Sequence, residues 1–150
     1  MTRRRNPSRK RSAASSNAKP LEAAAFYLDE SIYSKVLSDA LYAARVVVRR
    51  PGVDVPFGTP DETWLGIAGS QGWIVLMRDQ RVRQRVLELN ALRAARVGAF
   101  VLTAGQATAK STAVVILSKL PKMLNIFRSE RKPFLYTLSL GGTLSRVKIR

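Results

Sequence analysis

The apolar positions of this chain alternate between two kinds of pattern. AAAFYL at 23–28, ARVVVRR at 44–50, the run that follows Gly72 at 73–77 and VGAFVL at 97–102 are short and nearly continuous in hydrophobicity. Runs of that length, bounded by polar or turn residues, predict strands buried on both faces. Between them the spacing lengthens. Ile32, Val36, Leu37, Ala40 and Leu41 recur at helical intervals, as do Trp64, Leu65 and Ala68, and then Val86, Leu87, Ala91 and Leu92. Thr59 as N-cap, Pro60 at the first helical position and Glu62 three residues after the cap predict a helix over 60–70, and the next helix is expected over 84–95.

Toward the C-terminus, Val114, Val115, Leu117, Leu120, Leu124 and Phe127 mark a longer helix over about 108–127, which Pro121 is expected to bend or split. The final stretch, PFLYTLSLGGTLSRVKIR, carries two alternating runs around Gly141-Gly142 and predicts a β-hairpin with a two-residue primed turn. Strand and helix alternate along the chain. The fold expected is therefore α/β, a three-layer α/β/α sandwich around a mostly parallel sheet, with the hairpin at its C-terminal end.

Composition adds a tail and a partner. Residues 1–20 hold seven basic residues and no acid among Ser, Ala, Asn and Pro, a mixture that cannot offset the entropy of ordering, so a disordered basic tail is expected before a single domain over 21–150. As a solubilising extension or as an arm that touches nucleic acid, it reads equally well. The whole chain has 26 Lys+Arg against 10 Asp+Glu, a net charge of +16, which points to a polyanion such as RNA, DNA or an acidic protein. No run approaches the ~20 apolar residues of a membrane span, and no apolar segment follows the N-terminal charges, so a cytoplasmic location is expected.

Cysteine and histidine are both absent. That excludes disulfides, thiolate or imidazole metal ligands and the usual neutral-pH acid/base. Any catalysis must run on carboxylates, hydroxyls, cations or a hard metal ion.

The carboxylates are few enough to place one by one. Asp29 and Glu30 end the first strand, Asp61 and Glu62 begin the second helix, and Asp79 ends the third strand. Strand C-termini and the N-termini of the following helices share one edge of an open α/β sheet, so chain-distant acids converge there. Taken singly, Asp29 suits a helix cap, Asp61 and Glu62 suit first-turn positions, and Asp79 suits a turn. Taken together, in a chain so poor in acids, they suit a cation site. Oxygen-only ligation selects Mg²⁺ or Mn²⁺, which is suited to phosphoryl chemistry. Arg78, Arg81, Arg83 and Arg85 surround Asp79. The spacing of Arg81 and Arg83 sends both to one side of an extended segment, where they would grip phosphates. Trp64, on the apolar face of its helix, reads as core.

FYLDES at 26–31, TPDETWLGIAGSQGWIVLMRDQRVR at 59–83 and VGAFVLTAG at 97–105 resemble, in order and spacing, the PIN-like domains of the VapC toxin type. The likeness covers about residues 24–149. It implies an α/β/α sandwich with an acidic Mg²⁺ (or Mn²⁺) pocket that cuts RNA phosphodiesters, in which Asp29, Asp61 and Asp79 are catalytic and bind metal. Glu62 is an additional ligand, with Glu30 its rival for the fourth acidic place and Asp54 in a loop that does not align. Arg78, Arg81 and Arg83 would contact RNA. The likeness further implies the toxin of a type II toxin–antitoxin pair, with an antitoxin as protein partner, and leaves a homodimer open. Two non-enzymatic alternatives stand beside it: a basic nucleic-acid-binding protein whose acids only cap helices, and a partner-binding module that keeps the fold.

Overall fold

The computed structural model describes residues 24–78, 86–104 and 106–149, with backbone alone at 86–89. The predicted tail lies outside the described residues. The first strand, β1, is Ala25–Leu28, and every residue of it is buried. Helix α1, Lys35–Ala43, is capped by Ser34, whose Oγ accepts the Leu37 N–H at 3.0 Å. Arg45, at φ 68°, turns the chain into the edge strand β2, Val47–Arg49.

Helix α2, Asp61–Gln71, ends at Gly72 in the left-handed region (φ 73°), a conformation that glycine adopts without strain. Its start differs from the predicted capping box. Pro60 occupies the N-cap with no side-chain cap bond, and the Thr59 hydroxyl instead donates to the Pro56 carbonyl at 2.6 Å, inside the preceding turn. Then follow β3 (Ile74–Arg78), α3 (Val86–Ala95), β4 (Gly98–Leu102) and α4 (Ala109–Ser129).

Pro121 neither splits α4 nor ends it; the helix runs 21 residues through it. The proline is exposed while Leu120, Met123 and Leu124 are buried, so the packed face holds the helix together. Strands β5 (Phe134–Leu138) and β6 (Leu144–Val147) form the expected hairpin, but its connection is longer than predicted. Ser139 N–H donates to the Thr143 carbonyl at 3.0 Å, leaving Leu140, Gly141 and Gly142 in the loop with Gly142 at φ 94°. One left-handed glycine closing a three-residue loop replaces the two that a primed turn needs.

The six strands lie in the order β2-β1-β3-β4-β5-β6, all parallel except the last pair. Alternate residues feed two cores. Phe26, Leu28, Ile74, Leu76, Phe100 and Leu102 pack with α1 and α4 on one face. On the other, Tyr27, Val75, Met77, Ala99 and Val101 pack with α2 and α3. This is the three-layer α/β/α sandwich expected from the sequence. No helix among the described residues is long and apolar enough to cross a membrane.

Candidate active site

The strand order reverses at β1. From it the chain goes to β2 on one side, and the later strands build outward from β3 on the other. Where the order of an open parallel sheet reverses, the loops leaving adjacent strands diverge and open a crevice at the strands' carboxyl ends. Asp29 stands at this point, its backbone N–H prolonging the β1–β3 pairing with a 3.0 Å bond to the Leu76 carbonyl. Its Oδ2 accepts the Ser31 N–H at 3.1 Å and the Ser31 hydroxyl at 2.6 Å, a local turn that fixes the carboxylate.

Asp61 enters the same crevice from the start of α2. Its Oδ1 accepts the indole N–H of Trp64 at 3.0 Å, and Trp64 is buried and stacked on Tyr27 with ring centroids 4.9 Å apart. The expectation that Trp64 packs in the core holds, and it also holds an acid in place. A cleft of about 410 Å³ is lined by Tyr27, Asp29, Glu30, Ser31, Asp61 and Trp64, with the 51–59 loop as its other wall.

These acids have no cationic neighbour bound to them. The ion pairs among the described residues are Lys35–Asp39, Arg49–Asp54 and Arg146–Glu130, and none involves Asp29, Glu30 or Asp61. Asp29 Oδ1 and Asp61 Oδ2 make no hydrogen bond among the described residues. In a chain of 26 basic and 10 acidic residues this is a local inversion of charge. The Tyr27 phenol registers it: burial, then the charges of Asp29, Glu30, Asp54 and Asp61, push its pKa well above the ordinary tyrosine value, so it stays protonated.

The other sequence candidates fall elsewhere. Glu62 is exposed on the first turn of α2 and does not line the cleft, whereas Glu30 does. Asp54 accepts the Arg50 N–H at 2.9 Å and pairs with the Arg49 guanidinium at 3.3 Å. Asp79, Arg81, Arg83 and Arg85 lie outside the described residues; Asp79 follows Arg78, the last residue of β3. The Arg78 guanidinium donates to the Ala107 carbonyl at 3.0 Å and to the buried Thr112 hydroxyl at 2.9 Å, tying β3 to the start of α4.

Among the described residues no three carboxylates stand close enough together to hold a metal ion. The oxygen-only donor set of Asp29, Glu30 and Asp61 around one cleft nevertheless fits a hard divalent cation in its chemistry. Two residues of the site escaped sequence reasoning. Ser31 carries the Asx-turn spacing to Asp29 that would have exposed it, and Tyr27 faces the α2 side of the sheet by strand alternation from Phe26.

A family model described as a PIN-like domain matches residues 24–104, more than half of the chain. No curated protein and no solved structure matches it. The matched span runs from β1 to the end of β4 and includes Asp29, Asp61 and position 79.

Proposed function

Because the chain belongs to the PIN-like domain family, whose members are generally nucleases, we propose that it is a metal-dependent endoribonuclease acting at the Asp29–Asp61 cleft. The observation that carries this reading is the set of unpaired carboxylates, Asp29, Glu30 and Asp61, around one cleft at the sheet's switch point in a protein of net charge +16. None of the three is neutralised by a basic side chain among the described residues, which leaves their oxygens open to a cation. Asp29 and Asp61 would hold Mg²⁺ or Mn²⁺ together with Asp79, and Glu30 takes precedence over Glu62 as a fourth ligand because it lines the cleft. When bound, such an ion polarises the phosphodiester and makes water a competent nucleophile at neutral pH.

The protein's own residues do the positioning. Ser31 orients Asp29 and Trp64 orients Asp61 through the bonds described above, and the protonated Tyr27 phenol is a hydrogen-bond donor in the cleft lining. Arg81 and Arg83 would bind substrate phosphates from the segment after β3, while Arg78 acts on the fold. RNA as the substrate, a cytoplasmic toxin role and an antitoxin partner rest on the net charge and the sequence resemblance together.

One observation suits a second reading equally well, a non-catalytic nucleic-acid-binding protein: the net charge of +16. Incubating the full chain with a labelled single-stranded RNA separates the two. Cleavage with Mg²⁺ or Mn²⁺ but not with EDTA, and its loss in Asp29→Asn, Asp61→Asn and Asp79→Asn, is the expected result. RNA binding with no cleavage under any divalent ion would leave the second reading in its place.

A further inference from the structure

We propose that the groove between α4 and the β5–β6 loop is a second binding site for single-stranded RNA, holding phosphates of the strand that runs on from the acidic cleft. The groove, about 600 Å³, is lined by Lys110, Ser111, Val114, Lys119, Leu140 and Gly142 among others, and by no acid. Among the described residues, the side chain of neither Lys110 nor Lys119 has a hydrogen bond or an ion pair. Val114 and Leu140 are 63% and 43% exposed. Two unpaired ammonium groups flanking an exposed aliphatic patch match a nucleotide, which offers a phosphate to the former and an apolar base face to the latter.

Lys119 is seated there by the backbone. A Cβ at Gly142 would lie 2.9 Å from the Lys119 Cε, so the glycine leaves room for the lysine stem to lie across the loop. The groove also lies on the right edge of the sheet. The first turns of α4 follow β4 and the loop follows β5, so both leave the sheet at the strand C-termini, as Asp29 and Asp61 do. Arg78 joins the two sites: its N–H bonds Ser31 of the cleft, and its guanidinium reaches Ala107 and Thr112 beside the groove. That the polyanion is RNA rests on the nuclease reading; that the groove binds a polyanion rests on its own lining.

The test is binding of a labelled single-stranded RNA to the full chain in EDTA, by anisotropy over a range of KCl, so that no metal chemistry enters. Lys110→Ala with Lys119→Met, the latter keeping an aliphatic stem over Gly142, removes both charges. The log–log salt slope is expected to shrink by about 1.4, at ~0.7 per lost phosphate contact on a single strand. Lys35→Ala, which removes an exposed lysine paired with Asp39, should leave the slope as it is. If circular dichroism shows the double variant unfolded, each single variant is read instead, with an expected change of about 0.7. A slope equal to that of the native chain overturns the proposal and returns the groove's exposed residues to a protein partner. Because the readout is metal-free, that result is independent of whether the native chain cleaves RNA.

Discussion

The Ser31 hydroxyl donates a 2.6 Å hydrogen bond to Asp29 Oδ2 while accepting the Arg78 backbone N–H at 3.0 Å, so the loop after β1 and the end of β3 are held through one oxygen. Partners of this kind fix the direction of a ligating carboxylate, and their loss typically costs about 10–100-fold in metal affinity. Ser31→Ala should therefore weaken Mn²⁺ binding by that order in a calorimetric titration. It also removes the bond between the Ser31 hydroxyl and the Arg78 N–H, at a cost of about 1 kcal/mol in urea unfolding. Native Mn²⁺ affinity in this variant would show that Ser31 serves the turn and not the site.

Asp61 separates a site role from a folding role. Asparagine at position 61 keeps an oxygen for the Trp64 indole, so Asp61→Asn retains the 3.0 Å bond and loses only charge. In metal-free buffer its melting temperature should match or exceed that of the native chain, since one of several like charges has gone. Adding Mn²⁺ at 100 times its dissociation constant stabilises a native site by about 2.7 kcal/mol, and that increment should vanish in the variant. Calorimetry with and without Mn²⁺ reads both. A melting temperature lowered without metal would make Asp61 a structural cap.

Much of this arrangement was legible in the sequence, because hydrophobic period and turn residues act locally. The strands at 25–28, 74–78 and 98–102 and the alternation that makes a parallel sheet follow from runs of apolar residues between helical spacings. Asp29 and Asp61 were legible for a related reason: in this topology any residue at a strand C-terminus or the start of the next helix reaches one edge. What was not legible depends on tertiary alternatives. Thr59 has the chemistry of an N-cap but finds the Pro56 carbonyl first. Pro121 should break a helix, yet packing of its buried neighbours carries α4 through. Arg78 looked like a phosphate contact within an arginine-rich run, and only the fold reveals that Ala107 and Thr112 lie within its reach.

Tyr27 makes stability depend on alkaline pH. Its phenol is held protonated by burial and by the acids around it, so its folded pKa lies above the ordinary value near 10. The sign follows from linkage: below about pH 10 both states keep the proton and the contribution is whole, and above it only the unfolded chain releases the proton, so stability falls as pH rises. Tyr136, raised by its hydrogen bond to Glu130, adds in the same direction. Unfolding between about pH 9 and 11.5 should show this decline, and Tyr27→Phe should flatten part of it while keeping the stack on Trp64. An equally steep decline in that variant would assign the effect to other groups.

Helices α2 and α3 approach each other over Gly69, where an added Cβ would overlap the Ala95 carbonyl oxygen. Two effects compete in Gly69→Ala. Alanine gains about 1 kcal/mol in helix propensity, whereas overpacking against rigid backbone costs about 1–3 kcal/mol. The clash should win, because a carbonyl in a helix cannot rotate aside as a side-chain tip can. Chemical denaturation should show net destabilisation of up to about 2 kcal/mol, and a gain in stability would mean that the helices separate freely.

Arg78 provides the test of structure against substrate contact. Its guanidinium serves two acceptors at once, the Ala107 carbonyl at 3.0 Å and the Thr112 hydroxyl at 2.9 Å, and Thr112 is 1% exposed. Lysine offers a single ammonium on a flexible stem and cannot reproduce a planar fork, so Arg78→Lys is not conservative here. It should destabilise the fold by about 1–3 kcal/mol, the usual cost of leaving a buried polar group without its partner. The salt slope of RNA binding should meanwhile stay at the native value, because the guanidinium works inside the protein. If instead the variant unfolds like the native chain while its slope drops by about 0.7, Arg78 holds a phosphate and the clamp between β3 and α4 contributes little.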